Sequence, residues 1–392
     1  MAQFGDFTVD RNSTKYVLGS GGTIISYATD EPAFEFNTDG SYKGLLVEPA
    51  ATNICLQSED FSTTWLEVNA TITTNDTTAP DGNSTADKLN DDGGGGTGEV
   101  VVYQTITVAA NTKYTASVFL KADGLNWAVL NARDYDGTTD AYQYFDLSTG
   151  SLGTSVNLDD SSIEAYPNGW YRCLITWTQG AADTSFFFRI DVADADGDST
   201  VDLDGTSSIF VWGAQVETGP IATSYIPTSG STVTRVKDDI TLGSASSLIG
   251  QTEGTLYVEV DWRLRSGVEQ ALLDVSDGTF SNRLIIYNDI FGILRMQARV
   301  GGTTIVFAGE SSTGYSGIQK FAFAYADGDF ELYRNGASKS TVTGSLAALA
   351  TLTDIDLGQD VNASAQANMH IRAVAIYPTR LSDAEAQALT TL

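Results

Sequence analysis

Tyr171-Arg172-Cys173-Leu174-Ile175-Thr176-Trp177 decides the fold class. Tyr171, Cys173, Ile175 and Trp177 fall on one face of an extended chain, because successive side chains of a strand point to opposite sides. The same period of two recurs in both directions. Upstream, Tyr114, Ala116, Val118 and Leu120 share a face. Downstream, Leu256, Val258, Val260 and Trp262 line one side of a strand, with Tyr257, Glu259, Asp261 and Arg263 opposite. Further strands are expected over Leu284–Tyr287, Phe321–Tyr325, Phe330–Tyr333 and Ile371–Tyr377. Turn formers separate the runs: Ala79-Pro80-Asp81-Gly82, Asp136-Gly137, Pro167-Asn168-Gly169, Asp327-Gly328-Asp329 and the hairpin signal Asn335-Gly336. The tetraglycine Gly93–Gly96 reads as a mobile surface loop. Strands at short spacing without βαβ alternation predict an all-β chain: two antiparallel sandwiches of the jelly-roll kind in tandem. One short C-terminal helix closes it, with Ser382 as N-cap, Glu385 completing a capping box and Leu381 at the staple position.

A length of 392 residues fits two or three domains. The boundaries expected are an irregular N-terminal docking segment over 1–48, a first sandwich over 49–234, a linker over 235–249 and a second sandwich over 250–392. Fifty acidic against 21 basic residues give a net charge of −29, which makes nucleic acid and anionic membrane poor partners. No apolar run approaches the roughly 18 residues that would span a bilayer. The start, Met1-Ala2-Gln3-Phe4-Gly5-Asp6, lacks a basic region followed by an apolar core, so export by a standard signal peptide is not expected. The two cysteines, Cys55 and Cys173, are too few for a disulfide framework and are expected as buried free thiols.

Several strings carry a resemblance. Phe7-Thr8-Val9-Asp10, Asp30-Glu31-Pro32-Ala33-Phe34 and Gly44-Leu45-Leu46-Val47-Glu48-Pro49-Ala50-Ala51-Thr52-Asn53 resemble the opening of bacteriophage tail-fibre and tail-associated proteins, which usually carry Arg where Ala51 stands. Asn168-Gly169-Trp170-Tyr171-Arg172-Cys173, Val211-Trp212-Gly213-Ala214-Gln215-Val216-Glu217 and Ala222-Thr223-Ser224-Tyr225-Ile226-Pro227-Thr228 extend the match, and the middle domain is similar to a carbohydrate-binding-module jelly roll. Gly328-Asp329-Phe330, Leu332-Tyr333, Asn335-Gly336 and Arg380-Leu381-Ser382-Asp383-Ala384-Glu385 make the last domain similar to laminin-G-like, concanavalin-A-type sandwiches. The resemblance implies a virion structural protein (tail fibre, head spike or similar appendage) that is assembled in the bacterial cytoplasm and released by lysis. It further implies a homotrimer or other homo-oligomer, with other virion proteins and a host cell-surface polysaccharide as partners.

Candidate chemistry follows from residue types. Neither G-x-S-x-G, H-E-x-x-H nor a phosphate-cradling loop occurs, and the single histidine, His370, reads as structural. Glu259 and Asp261 alternate along one strand as glycosidase acids do, but Arg263 stands where a third acid would be expected, so a solvent-facing charge pattern is the plainer reading. Sugar binding needs an aromatic plane beside hydrogen-bonding groups. Asn126-Trp127, Asn131, Arg133-Asp134-Tyr135-Asp136 and Tyr142-Gln143-Tyr144 supply both, so Trp127, Arg133, Tyr135, Tyr142 and Tyr144 are the candidate carbohydrate-binding residues. Phe145 and Leu147 are expected in the core. Asp194, Asp196 and Asp198 alternate around Gly197 and are candidate ligands of a structural calcium ion, although no loop-closing glutamate follows. The functional expectation is host-surface adhesion without catalysis. A ligand-free structural protein and a polysaccharide depolymerase are the alternatives.

Overall fold

The computed structural model describes residues 4–262, 268–347 and 349–392. Among them the chain is almost entirely antiparallel sheet, with two six-stranded and two seven-stranded sheets. In the first sandwich the front sheet runs in the order Ser151–Val156, Ala141–Asp146, Trp127–Arg133, Ser185–Ala193, Val100–Thr107, Leu66–Val68. The back sheet runs Asp160–Ala165, Tyr171–Thr178, Lys113–Ala122, Ser208–Thr218, Ala86–Asp91, Ala70–Thr77. The alternation read from sequence builds their shared core: Tyr114, Ala116, Val118 and Leu120 meet Cys173, Ile175, Trp177 and Phe145 there, and Leu147 is buried with them. Both thiols are free and buried, and burial pushes each thiol pKa up.

The second sandwich has a different outline from the expected one. Its first sheet runs Thr8–Asp10, Asp239–Leu242, Asp354–Leu357, Gln270–Ser276, Arg283–Asn288, Ile293–Val300, Thr303–Ser311. The second runs Ala337–Val342, Asp329–Arg334, Gly317–Ala326, Glu253–Trp262, Met369–Tyr377, Tyr42–Val47, Phe34–Phe36. The expected boundaries at 1–48 and 235–249 therefore cut through paired strands. Thr8–Asp10 ladders on Asp239–Leu242, and Leu45–Val47 ladders on Met369–Ile371. In chain order the first sandwich is an insertion into the second. The two crossings run side by side, because Ala51–Asn53 pairs with Val233–Arg235. Of the stretches resembling tail-fibre openings, the one over residues 44–53 runs through this crossing. Asn53 Nδ2 donates to the carbonyls of Ala214 (3.1 Å) and Ile226 (2.9 Å), and Ser224 N donates to Glu48 Oε1 (2.7 Å).

Local expectations fare well. Asn335 and Gly336 both take positive φ (46° and 79°), the conformation a two-residue hairpin turn requires. Ser382 caps the helix Asp383–Thr390 with the reciprocal Glu385 bond. The tetraglycine loop is exposed but not free. Gly93 N bonds Asp91 Oδ1 (2.9 Å), Gly95 N bonds the Leu203 carbonyl (2.7 Å), and Leu203 N bonds that of Gly96 (2.9 Å).

One asymmetry positions the site. The outer side of the back sheet carries a buried aromatic group, Phe119, Trp170, Trp212 and Tyr225, and the hairpin Lys15–Leu18/Ile24–Tyr27 covers it with Ile24 and Tyr16. Among the described residues the outer side of the front sheet is covered only in part: Leu66, Val68 and Arg133 are exposed there, while Val101, Val129, Tyr144 and Asp191 are buried.

Candidate functional site

The front sheet sorts its residues by the period of two. Ala128, Leu130 and Ala132 face the core, as do Phe186, Phe188, Ile190 and Val192 of the neighbouring strand. Their alternates face out. Register then aligns these outward residues in rows. Tyr103 lies opposite Arg189, Arg189 opposite Asn131, and Asn131 opposite Tyr142. The next row holds Val101, Asp191, Val129 and Tyr144. The result is a shallow cleft whose walls include Asn131, Arg133, Tyr142, Tyr144 and Arg189.

The cleft is polar at its floor and aromatic at its sides. Arg189, 6% exposed, gives Nε to Asp191 Oδ1 (3.2 Å) and Nη2 to Asp191 Oδ2 (2.8 Å), and Nη2 reaches Glu99 Oε2 (3.0 Å). Burial pushes the Asp191 carboxyl up, to about 6, against the pull of Arg189. Asn131 is 6% exposed; its Nδ2 donates to Asp140 Oδ2 (3.4 Å), while Oδ1 is buried with no hydrogen-bond partner. A buried acceptor left so costs about 1–3 kcal/mol, and a ligand donor would recover it. Tyr142 and Tyr144 meet edge to face with centroids 5.9 Å apart, and Tyr103 meets Phe187 likewise at 5.7 Å.

Of the five candidate sugar-binding residues, four share this face: Trp127, Arg133, Tyr142 and Tyr144. Trp127 stands at the cleft's edge, packed with Val129 and Ala193. Gly153 lets it settle there, since a Cβ at that position would lie 2.7 Å from the indole. Tyr135 does not belong. The strand ends at Arg133, Asp134 takes a positive φ of 56°, and Tyr135 turns to pack against the first core. Gln143, between the two tyrosines, points inward and ties Gly153 and Ser161 together.

The calcium expectation fails on geometry. Asp196 spends Oδ1 on Thr154 N (2.6 Å) and Oδ2 on Thr154 Oγ1 (3.2 Å), and Asp198 Oδ1 caps Thr200 N (2.9 Å). Asp194, Asp196 and Asp198 thus form a tight turn, and among the described residues no group of three or more His, Cys, Asp or Glu side chains is placed to hold a metal ion. In the depolymerase reading's pair of acids, Glu259 is also committed elsewhere. Glu259 accepts from Arg372 Nε (2.9 Å) and Tyr257 Oη (3.2 Å), with Lys320 at 3.9 Å. Arg263 lies outside the described residues. His370 is fully buried, with Nε2 against Glu35 Oε2.

Sequence reasoning passed over Arg189 and Asp191 as parts of this site. The signal was present: Phe186, Phe188, Ile190 and Val192 claim the core, so Phe187, Arg189 and Asp191 must face out. A second cleft lies where the N-terminal hairpin meets the back sheet, walled by Tyr16, Tyr166, Arg172 and Ser224. There Arg172 donates to Ser117 Oγ (3.0 Å) and stacks on Phe119 at 5.6 Å.

No family model and no curated protein matches this chain. Among solved structures, the CBM40 module of the Ruminococcus gnavus IT-sialidase is similar at 18% identity and a TM-score of 0.32, over 37% of this chain and 86% of that one. A SAP-like pentraxin from Limulus polyphemus is similar at 10% identity and a TM-score of 0.29, over 36% of this chain and 70% of that one. Sheep galectin-11 follows at 12% identity and a TM-score of 0.23, over 32% and 89%. Likenesses of this size carry no information on function.

Proposed function

We propose that the open face of the front sheet is a carbohydrate-binding site and that the chain is an adhesin rather than an enzyme. The observation that carries this is the buried, partnerless Oδ1 of Asn131 at the centre of a cleft walled by tyrosines. Sugars supply what that site lacks: a hydroxyl donor for the amide oxygen and C–H surfaces for the rings. Support for binding without cleavage comes from the carboxylates of the cleft. Asp191 and Glu99 are held by Arg189, and Asp140 accepts from Asn131 and from Asp134 N (3.2 Å). The setting on a bacteriophage appendage, as a homo-oligomer facing a host polysaccharide, rests on the sequence resemblance. In it, repeated copies would turn weak single contacts into avidity.

The test is an array of immobilised oligosaccharides probed with the full chain, then with Asn131→Ala and Tyr142→Ala. Each substitution is expected to weaken the best-bound glycan about tenfold, or about 1.4 kcal/mol, with the unfolding transition unchanged. Retention of no glycan, or binding by both variants as tight as that of the parent chain, would exclude the site.

A further inference from the structure

Resting on that reading, we infer that the front-sheet cleft selects an uncharged saccharide, one that offers a hydroxyl or acetamido donor, over a sugar acid. Three features of the cleft point the same way. First, its buried arginine is spent. Arg189 directs Nε and Nη2 at Asp191 and Nη2 again at Glu99, so the planar fork that would grip a sugar carboxylate already holds protein carboxylates. Second, the unmet need is for a donor. Asn131 Oδ1 is the buried polar atom of the cleft that lacks a partner, and a carboxylate has no proton to give it. Third, the local charge is unfavourable to anions. Glu99, Asp140 and Asp191 face Arg133 and Arg189, an excess of one negative charge on a chain whose net charge is −29.

The experiment compares glycan pairs that differ only in charge, such as a neutral oligosaccharide and its sialylated or uronate-bearing counterpart, titrated into the full chain at pH 7.5. The neutral member is expected to bind at least about tenfold tighter, with the gap narrowing as salt is raised. Asp191→Asn, which keeps an oxygen acceptor but removes one carboxylate from Arg189, is expected to shrink the gap severalfold. Tighter binding of the acidic member, lost in Asn131→Ala, would overturn this inference and leave the carbohydrate site standing. An unchanged gap in Asp191→Asn would overturn the role given to the arginine clamp. Binding of neither member would remove the carbohydrate site itself.

Discussion

Asp238→Ala is expected to destabilise the chain by about 3–5 kcal/mol, because it leaves the buried cations Arg11, Lys15 and Arg235 with the single carboxylate of Glu48. Asp238, Arg11 and Lys15 are at most 1% exposed. Asp238 Oδ1 accepts from Arg11 Nη1 (3.0 Å), and Oδ2 accepts from Lys15 Nζ (2.6 Å) and from Glu48 N (2.8 Å). Lys15 also contacts Glu48 Oε2 at 3.0 Å, and Arg235 Nη2 donates to the Pro49 carbonyl (2.8 Å) with Glu48 at 3.6 Å. Burial alone would push the Glu48 carboxyl up, but Arg235 and Lys15 together hold it well below the usual carboxylate range. Five charged groups therefore bind the two chain crossings to the N-terminal segment. Urea unfolding followed by tryptophan fluorescence should show an early loss of structure in the variant. A midpoint matching the parent would mean that water reaches this cluster and screens it.

Asp356→Asn should act in the opposite direction, stabilising the chain by about 2–4 kcal/mol at pH 8. Asp356 lies directly across the ladder from Asp274, and the two are 5% and 0% exposed. Like charges in that arrangement repel. Burial first, then Asp274 and Asp239, push the Asp356 carboxyl up to about 8; burial likewise pushes Asp274 up to about 7, against Arg283. The folded pKa values lie above those of the unfolded chain, so folding binds protons. Stability from these groups is greatest near pH 4 and is lost as pH rises toward 8. Asparagine removes one charge and offers an N–H to Asp274 Oδ1, which lacks a partner. Unfolding midpoints across pH 4–8 should slope downward in the parent and flatten in the variant. Parallel slopes would show that Asp356 is not the residue taking up the proton.

The elements were legible where local chemistry dictates them. Tyr114 to Leu120 and Tyr171 to Trp177 announced their faces, and Ser382 with Glu385 announced the helix. Connectivity was not legible. Nothing within Leu45–Val47 says that its partner is Met369–Ile371, because a ladder's register is fixed by the whole packed sheet. For the same reason nothing in the sequence marks Arg11 and Lys15 as buried, although both are. At the site, a period of two carried Trp127, Arg133, Tyr142 and Tyr144 to the right face. Tyr135 was misplaced because the backbone reverses at Asp134, where parity along the strand no longer applies. Asp194, Asp196 and Asp198 had the spacing of a cation loop, but the β-bridge between Ala195 and Asp198 closes it into a turn.

The most direct test of the central claim is amide NMR mapping of a titration with the neutral oligosaccharide that the array binds best. The predicted result is a saturable set of shifts confined to Val101–Tyr103, Trp127–Arg133, Tyr142–Tyr144 and Phe187–Asp191. Shifts centred instead on Tyr16, Tyr166, Arg172 and Ser224 would place recognition in the cleft beneath the N-terminal hairpin and contradict the account.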